Sequence, residues 1–184
     1  MTPKKHSRRV ERTLLHRGPK FDVEVVSALG RDGKPIARPI VRHPGSVIIL
    51  PLLREGSDQR VVLIACWRVT TESRIIELPA GTREKGEEPL SCAARELEEE
   101  TGYRARNLKE LGTLLTAPGL TDERMHAYVA TGLTHVGQRL EVDEEIEVLP
   151  TPAGEALAMA TDGRIQDAKS RLVLLWAARL GMLG

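Results

Sequence analysis

Residues 81–103 read GTREKGEEPLSCAARELEEETGY, and seven of them are glutamate. The order of residue types predicts a loop that leads directly into a helix. Pro89 suits the first helical position, because its missing N–H would find no partner there in any case, and Gly102 suits the residue after the last turn. We therefore expect a helix from about Pro89 to Thr101.

The predicted helix carries an acidic face beside an apolar one. At about 100° per residue, Glu96, Glu99 and Glu100 share one face, and Leu97 lies on the adjacent apolar stripe. Like charges at this spacing repel by about 0.2–0.5 kcal/mol per pair on an exposed helix. One interpretation is a solvated, charged face. The other is a site for Mg²⁺, which takes oxygen ligands and keeps waters and substrate phosphates beside them.

The spacing of these residues resembles the Nudix box. That motif is a glycine, five residues, a glutamate, seven residues, and then Arg-Glu-apolar-any-Glu-Glu-any-Gly-apolar. The matching residues here are Gly81, Glu87, Arg95, Glu96, Leu97, Glu99, Glu100, Gly102 and Tyr103. A chance match is on the order of one in a billion per start position at ordinary residue usage. The resemblance therefore favours the metal site, and it implies hydrolysis of a nucleoside diphosphate linked to another group.

The resemblance also implies roles for the box residues. Glu96 and Glu100 match the main metal ligands, and Glu99 matches a further ligand or a general base. Arg95 matches the arginine that orients the glutamates by ion pairing, and it lies one helical turn before Glu99, within reach of its carboxylate. The expected metal ion is Mg²⁺, with Mn²⁺ or Zn²⁺ able to substitute.

The residues just before the box restrict the resemblance to one branch of the family. Residues 77–81 read ELPAG, which is characteristic of the ADP-ribose pyrophosphatase branch of the family. The resemblance makes the backbone carbonyl of Ala80 a metal ligand and places Glu77 near the site. Trp67 and Arg68 lie at the end of a predicted strand, where a base-stacking role competes with simple packing.

A loop after the box carries a second marker of the same branch. Residues 116–123 read TAPGLTDE, and Pro118 lies sixteen residues after Gly102 (118 − 102). Pro118 and Gly119 match the Pro-Gly motif that marks ADP-ribose specificity in the family, although a Pro-Gly turn alone is most often a connector. Together with ELPAG, they imply Mg²⁺-dependent hydrolysis of ADP-ribose, a nucleotide sugar, to AMP and ribose 5-phosphate.

A second acidic segment, residues 141–147, follows in the chain. A solvated loop is one interpretation. The resemblance implies instead a mobile loop that contributes the glutamate that orients or deprotonates the attacking water, and Glu144 or Glu145 is the closest match. The candidates for the general base are therefore Glu99 on the helix and this glutamate pair, and we favour the loop.

Two alternative functions stay open at this point. The same chemistry could act on another nucleotide sugar or on a dinucleotide, such as GDP-mannose or NADH. A non-catalytic ADP-ribose sensor is an alternative from another class. Degenerate box glutamates would favour the sensor, and here the box glutamates are intact.

The composition indicates one soluble globular domain. The chain has 184 residues, a formal net charge of +1 and 41% hydrophobic residues, which argues against a dedicated nucleic-acid binder. No apolar run approaches the roughly 18 residues of a membrane span, so we expect no membrane partner and a cytoplasmic location. Cys66 and Cys92 form no metal or redox motif and are expected to be buried and reduced.

The expected fold class is α/β: a Nudix fold, with an α/β/α sandwich around a mixed β-sheet and a small N-terminal β-rich unit. The apolar runs 47–53 and 61–67 predict two central strands that are buried on both faces. Gly163 is expected to end a short helix that begins at Pro152, and Asp167 to cap the last one.

We assign residues 1–46 to the N-terminal arm and β-unit, and residues 47–184 to the catalytic domain. The prolines Pro35 and Pro39 suit an edge strand or an intersubunit surface better than a central strand. The resemblance implies that this unit packs on a partner subunit and helps to build its adenosine pocket. We therefore expect a homodimer with a two-fold interface.

Overall fold

The computed structural model describes residues 10–142 and 144–183. Within these ranges the chain forms ten strands and three helices. None of the described helices has both the length and the hydropathy that crossing a bilayer requires. In chain order the elements are β1 (Glu11–Arg17), β2 (Asp22–Leu29), β3 (Pro35–Arg42), β4 (Ser46–Glu55), β5 (Asp58–Arg68), β6 (Ser73–Glu77), β7 (Ala80–Thr82), α1 (Pro89–Thr101), β8 (Tyr103–Leu115), β9 (Arg124–His135), β10 (Ile146–Pro152), α2 (Ala153–Asp162) and α3 (Ala168–Arg179).

The chain divides into two compact units. The first contains the chain up to Pro44 together with Leu115–Arg124, and the second contains Gly45–Leu114 and the chain from Met125 onward. This grouping differs from a division at residue 46, because the segment 115–124 goes with the N-terminal strands. The roles that the sequence suggests for the two parts stay predictions.

The first unit is a three-stranded antiparallel sheet in the order β1-β2-β3. The proline-containing strand β3 lies at its edge, as the sequence predicts. The segment 115–124 is held to β3 by backbone hydrogen bonds, because the amide of Val41 donates to the carbonyl of Leu120 at 2.9 Å. Arg42 forms an ion pair with Asp122 of the same segment.

The second unit contains a mixed sheet in the order β10-β5-β4-β9-β8, extended by β6 on β5 and by β7 on β4. Strands β4 and β9 run parallel from the pair Ser46 and Met125 to the pair Leu52 and Thr131. The pairs β4–β5, β5–β10, β5–β6 and β4–β7 are antiparallel. The predicted mixed sheet is therefore confirmed.

Helices cover both faces of this sheet. Val47 and Ile49 pack with Leu97 of α1 on one face, whereas Ile48 and Leu50 pack with residues of α2 and α3 on the other. Both faces of β4 are therefore buried, and each large aliphatic side chain contributes about 1.5–3 kcal/mol by leaving water. The predicted α/β/α sandwich is confirmed.

Local signals set the helix ends where the sequence predicts them. Helix α1 has Pro89 in its first turn and ends at Gly102, whose φ of 72° is left-handed. Asp167 caps α3 by accepting the amide of Ser170 at 2.9 Å. Strands β6 and β7 have only five and three residues, and no period in the sequence predicts them.

Candidate active site

Strand β7 brings the residues before the box against helix α1. Ala80 pairs with Ile48 of β4, and its amide donates to Oε2 of Glu100 at 2.9 Å. Gly81 follows, and a Cβ at this position would lie 1.9 Å from Cδ of Glu96. The box therefore needs glycine here because the strand backbone and a glutamate side chain approach each other closely.

Arg95 lies at the centre of an ion-pair cluster on the box. Its guanidinium contacts the carboxylates of Glu87 at 3.0 Å, Glu96 at 2.8 Å and Glu99 at 3.0 Å. The pair with Glu99, one turn along the helix, is the one that the sequence spacing predicts. Hydrogen bonds from Arg95 lower the pKa of Glu87 to about 2, so this carboxylate stays charged and helps to fix the guanidinium.

Two box carboxylates are buried beside each other. Glu96 is 8% exposed and Glu100 is 4% exposed. Burial raises the pKa of Glu96 to about 7, against the opposing effect of Arg95. Burial, and then the charge of Glu96, hold the pKa of Glu100 well above its ordinary value. Two adjacent carboxylates that resist ionisation are suited to a ligand with positive charge.

The donor chemistry of this pair fits a hard divalent cation. Among the residues that the structure describes, no three Asp, Glu, His or Cys side chains form a complete metal cage. Glu99 is turned toward Arg95, and its side chain is 28% exposed. Mg²⁺ is typically held by one or two carboxylates, with waters and substrate phosphates completing the shell. Glu96 and Glu100 have the donor chemistry of such a pair. The metal-ligand roles of Glu96, Glu99, Glu100 and the Ala80 carbonyl stay predictions.

The two loop glutamates have different surroundings. The charge of Glu144 contributes to the raised pKa values of Glu96 and Glu100, which places it on the side of the box carboxylates. Glu145 is paired with Arg74, its side chain is 67% exposed, and its carbonyl accepts the amide of Trp67 at 3.2 Å. The carboxylate of Glu144 accepts the amide of Glu141 at 2.9 Å, and its charge acts on both box carboxylates.

The beginning of this loop is attached to the end of the box helix. The side-chain amide of Gln138 donates to the carbonyl of Glu100 at 2.7 Å, and the backbone amide of Arg139 donates to the carbonyl of Glu99 at 3.1 Å. These bonds satisfy carbonyls of the last helical turn that have no partner within the helix. The position of the loop is therefore coupled to the helix that carries the carboxylates.

Comparisons with known proteins agree with this geometry. A family model described as NUDIX domain matches residues 42–171. The chain belongs to the Nudix family. The sandwich with its box helix is therefore a Nudix fold, as the sequence predicts, and the chain is a Nudix hydrolase. Nudix hydrolases depend on divalent metal ions, to which the carboxylate pair on α1 is suited.

Similar proteins extend over most of the chain. An ADP-ribose pyrophosphatase of Bacillus subtilis (strain 168) is 36% identical over 163 residues, which cover 88% of this chain and 86% of that protein. A methanol dehydrogenase activator of Bacillus methanolicus is 39% identical over 141 residues, covering 76% and 75%. A crystal structure described as an ADP compounds hydrolase matches 99% of this chain and 100% of that chain, with a TM-score of 0.80 and 22% identity. That likeness shows the fold alone.

Trp67 and Arg68 diverge at the end of β5. The indole of Trp67 is 44% exposed, whereas the guanidinium of Arg68 contacts the carboxylate of Glu77 at 2.7 Å. Successive residues of a strand point to opposite faces, so the two side chains form no common platform. Glu77 is 1% exposed, and its burial favours a role in holding neighbours over direct contact with substrate. Base stacking on Trp67 stays a prediction.

Pro118 and Gly119 belong to the first unit of the Nudix chain. Both are exposed, and they form a turn in which the amides of Leu120 and Thr121 donate to the carbonyl of Ala117 at 2.8 Å and 2.9 Å. The turn chemistry that the sequence predicts is confirmed. The role of these two residues in binding substrate stays a prediction.

Two residues near the Nudix box make contacts that the sequence does not predict. Lys169 contacts Glu77 at 2.6 Å, and Gln138 bonds to the box helix as described above. Both lie far along the chain from their partners, by 92 and 38 residues. Helical or strand periods describe near neighbours only, so such contacts are visible only in the folded protein. The two cysteines are buried and free, as expected.

Proposed function

We propose that this Nudix hydrolase cleaves the pyrophosphate of ADP-ribose to give AMP and ribose 5-phosphate, with Mg²⁺ as its metal ion. The observation that carries the proposal is that the buried carboxylates of Glu96 and Glu100 pack against the ELPAG segment. An ADP-ribose pyrophosphatase that aligns over most of the chain supports the choice of substrate.

The reaction consumes one water molecule. The water oxygen joins one phosphorus of the pyrophosphate, the bridging oxygen leaves with the other phosphoryl group, and a carboxylate accepts the proton. A metal ion held by Glu96 and Glu100 would supply positive charge against the pyrophosphate oxygens and assist ionisation of the water. Arg95 keeps Glu96 and Glu99 in place, so that little rearrangement is needed on binding.

We favour Glu144 as the carboxylate that accepts this proton. Its charge raises the pKa values of the box carboxylates, and within the described part of the chain its own carboxylate accepts only a neutral backbone amide, that of Glu141. Glu145, in contrast, is paired with Arg74 and Glu99 with Arg95. A carboxylate that is already neutralised by a guanidinium or by a metal ion is a poorer proton acceptor than one held slightly apart.

ADP-ribose is expected to be the best substrate in a panel of nucleotide diphosphates. With Mg²⁺ present, kcat/KM for ADP-ribose should exceed that for GDP-mannose, NADH and diadenosine polyphosphates. The reason is that the chain carries the ELPAG and Pro-Gly markers of the ADP-ribose pyrophosphatase branch. Chromatography of the products should show AMP and ribose 5-phosphate. A chelator such as EDTA should abolish turnover and is the control.

Two results would contradict this proposal in different ways. A tenfold higher kcat/KM for another member of the panel would reject ADP-ribose and leave the Nudix chemistry in place. Binding of ADP-ribose without metal-dependent turnover would instead make the protein a sensor.

We also propose that the protein is a homodimer whose two-fold interface uses the first unit. That unit exposes a set of large apolar side chains, namely Leu14, Leu15, Phe21, Leu29 and Ile36, each between 40% and 60% exposed. Exposed large apolar side chains that collect in one unit make that unit a candidate for a protein–protein contact. An isologous interface would cover the same residues on both copies.

Light scattering should give about twice the chain mass of 20.3 kDa at micromolar concentration. Leu15→Lys should shift the protein toward the monomer, because it would bury a charge at the interface. Leu172→Lys is the matched control, since Leu172 is an exposed leucine, 46% accessible, on α3 of the second unit. A wild-type monomer with full activity would contradict the proposal.

A further inference from the structure

A buried carboxylate at the end of β6 is held by two cations. Glu77 is 1% exposed, and it accepts from Arg68 at 2.7 Å and from Lys169 at 2.6 Å. A buried carboxylate is costly unless it is paired and hydrogen-bonded. Both oxygens of Glu77 are used in this way, so its position is set from two sides.

The second cation comes from the first turn of α3, which is itself fixed. Lys169 also contacts Asp167 at 2.9 Å, and Asp167 caps the helix by accepting the amide of Ser170. The hydroxyl oxygen of Ser170, which is fully buried, accepts the amide of Leu78 at 2.7 Å. The start of α3 thus holds two consecutive residues, Glu77 and Leu78, that begin the ELPAG segment.

This contact is a few residues before the backbone that lies against the two box carboxylates. Ala80, whose amide bonds to Glu100, is three residues after Glu77 (80 − 77). Gly81 follows, and its backbone lies so close to Glu96 that an added Cβ would overlap the carboxylate. A displacement of the 77–79 segment would therefore move the backbone against which both glutamates rest.

We propose that Lys169 is a positioning residue for the catalytic site: through Glu77 it holds the ELPAG segment against the carboxylates of Glu96 and Glu100. Its ammonium group contacts the carboxylates of Glu77 and Asp167, and it acts on the site through Glu77. The inference rests on the proposed function, because it assumes that these two carboxylates bind the metal ion.

The positioning role of Lys169 and its positive charge predict opposite effects of Lys169→Met on metal binding. Lys169→Met removes a positive charge near the site, and electrostatics alone would then make a cation bind more tightly. If Lys169 instead holds the ELPAG segment in place, the same change loosens the carboxylate pair and weakens binding. Substitution of residues that hold metal ligands in place typically weakens metal affinity or activity by about 10–100-fold.

The test measures Mn²⁺ binding by electron paramagnetic resonance on the full chain without substrate, and kcat and the Mg²⁺ activation constant with ADP-ribose. Lys169→Met should raise the Mn²⁺ dissociation constant and the Mg²⁺ activation constant by about tenfold. Lys169→Arg retains a cation at this position. It should bring both constants most of the way back to their wild-type values. Assays stay well below the melting temperature of each variant, so that loss of stability alone does not change them.

Arg164→Met is the matched control. Arg164 is an exposed cation just before α3, and it pairs with Asp162 at 2.8 Å and with Glu155 at 3.2 Å. Its removal should leave metal binding unchanged. Unchanged or tighter metal binding in a folded Lys169→Met protein would overturn the inference. If the wild-type protein itself shows no metal-dependent turnover, the proposed function fails, and the Mn²⁺ measurement still decides whether Lys169 positions the carboxylates.

Discussion

Glu100→Gln and Glu96→Gln should each lower kcat by about 10³-fold or more, and each should also make the metal-free protein more stable. The loss of rate follows because each change removes a ligand charge while keeping the side-chain shape. A metal ion typically supplies several kcal/mol of stabilisation in the transition state, and about 4 kcal/mol corresponds to 10³-fold. In Glu100→Gln the amide oxygen still accepts from Ala80, so the fold is preserved.

The gain in stability comes from relieving two buried like charges. The pKa of Glu96 is raised from 4.5 to about 7 in the folded protein. The unfolded chain therefore loses its proton at lower pH than the folded protein does, and stability falls as pH rises from about 4.5 to about 7. Above that range the cost is on the order of 3 kcal/mol, and Glu96→Gln avoids it.

Thermal unfolding with EDTA at pH 5 and pH 8 measures this effect. Glu96→Gln should raise the melting temperature by several degrees at pH 8 and by much less at pH 5. Mg²⁺ should stabilise the wild-type protein and should have little effect on either variant. The control is Glu98→Gln. Glu98 pairs with Arg104, whose hydrogen bond lowers its pKa, so glutamine there should be slightly destabilising and should leave kcat near normal.

Turnover within a fewfold of wild type in both variants would reject Glu96 and Glu100 as the metal ligands. A fall in melting temperature at pH 8 in both would instead contradict the repulsion between the buried carboxylates.

Glu144→Gln should lower kcat by about 10²- to 10⁴-fold, the usual range for loss of a general base, with little change in the Mg²⁺ activation constant. Glu145→Gln should have a much smaller effect. Its carboxylate is exposed and paired with Arg74, and the carbonyl that accepts from Trp67 belongs to the backbone. Glu99→Gln should weaken metal binding as well as rate, because it changes the partner of Arg95 beside Glu96.

The kcat and the Mg²⁺ activation constant of all three variants decide between these roles. Glu147→Gln is the control, since Glu147 also lies near Arg74, at 3.8 Å, with a side chain that is 65% exposed. Near-normal kcat in both Glu144→Gln and Glu145→Gln would move the role to Glu99 or to metal-bound hydroxide alone. A large loss of kcat in Glu145→Gln alone would contradict the choice of Glu144 as the base.

The sequence by itself determined the box helix and the central strands. Pro89 and Gly102 set the ends of α1, and the apolar runs in β4 and β5 predicted strands buried on both faces, since these signals act between near neighbours. The spacing of Arg95 and Glu99 likewise predicted their ion pair. Periodicity and capping act between residues within one or two turns of each other. They can therefore be recognised in the amino-acid sequence alone.

Only the tertiary structure decided how the site is assembled around that helix. The short strands β6 and β7 exist because longer strands pair with them, and the fit of Gly81 under Glu96 appears only once β7 packs on α1. The pairing of Glu77 with Lys169 and the different surroundings of Glu144 and Glu145 depend in the same way on distant partners. Such contacts are set by packing between segments far apart in the chain, where the spacing of residue types carries no information about which groups meet.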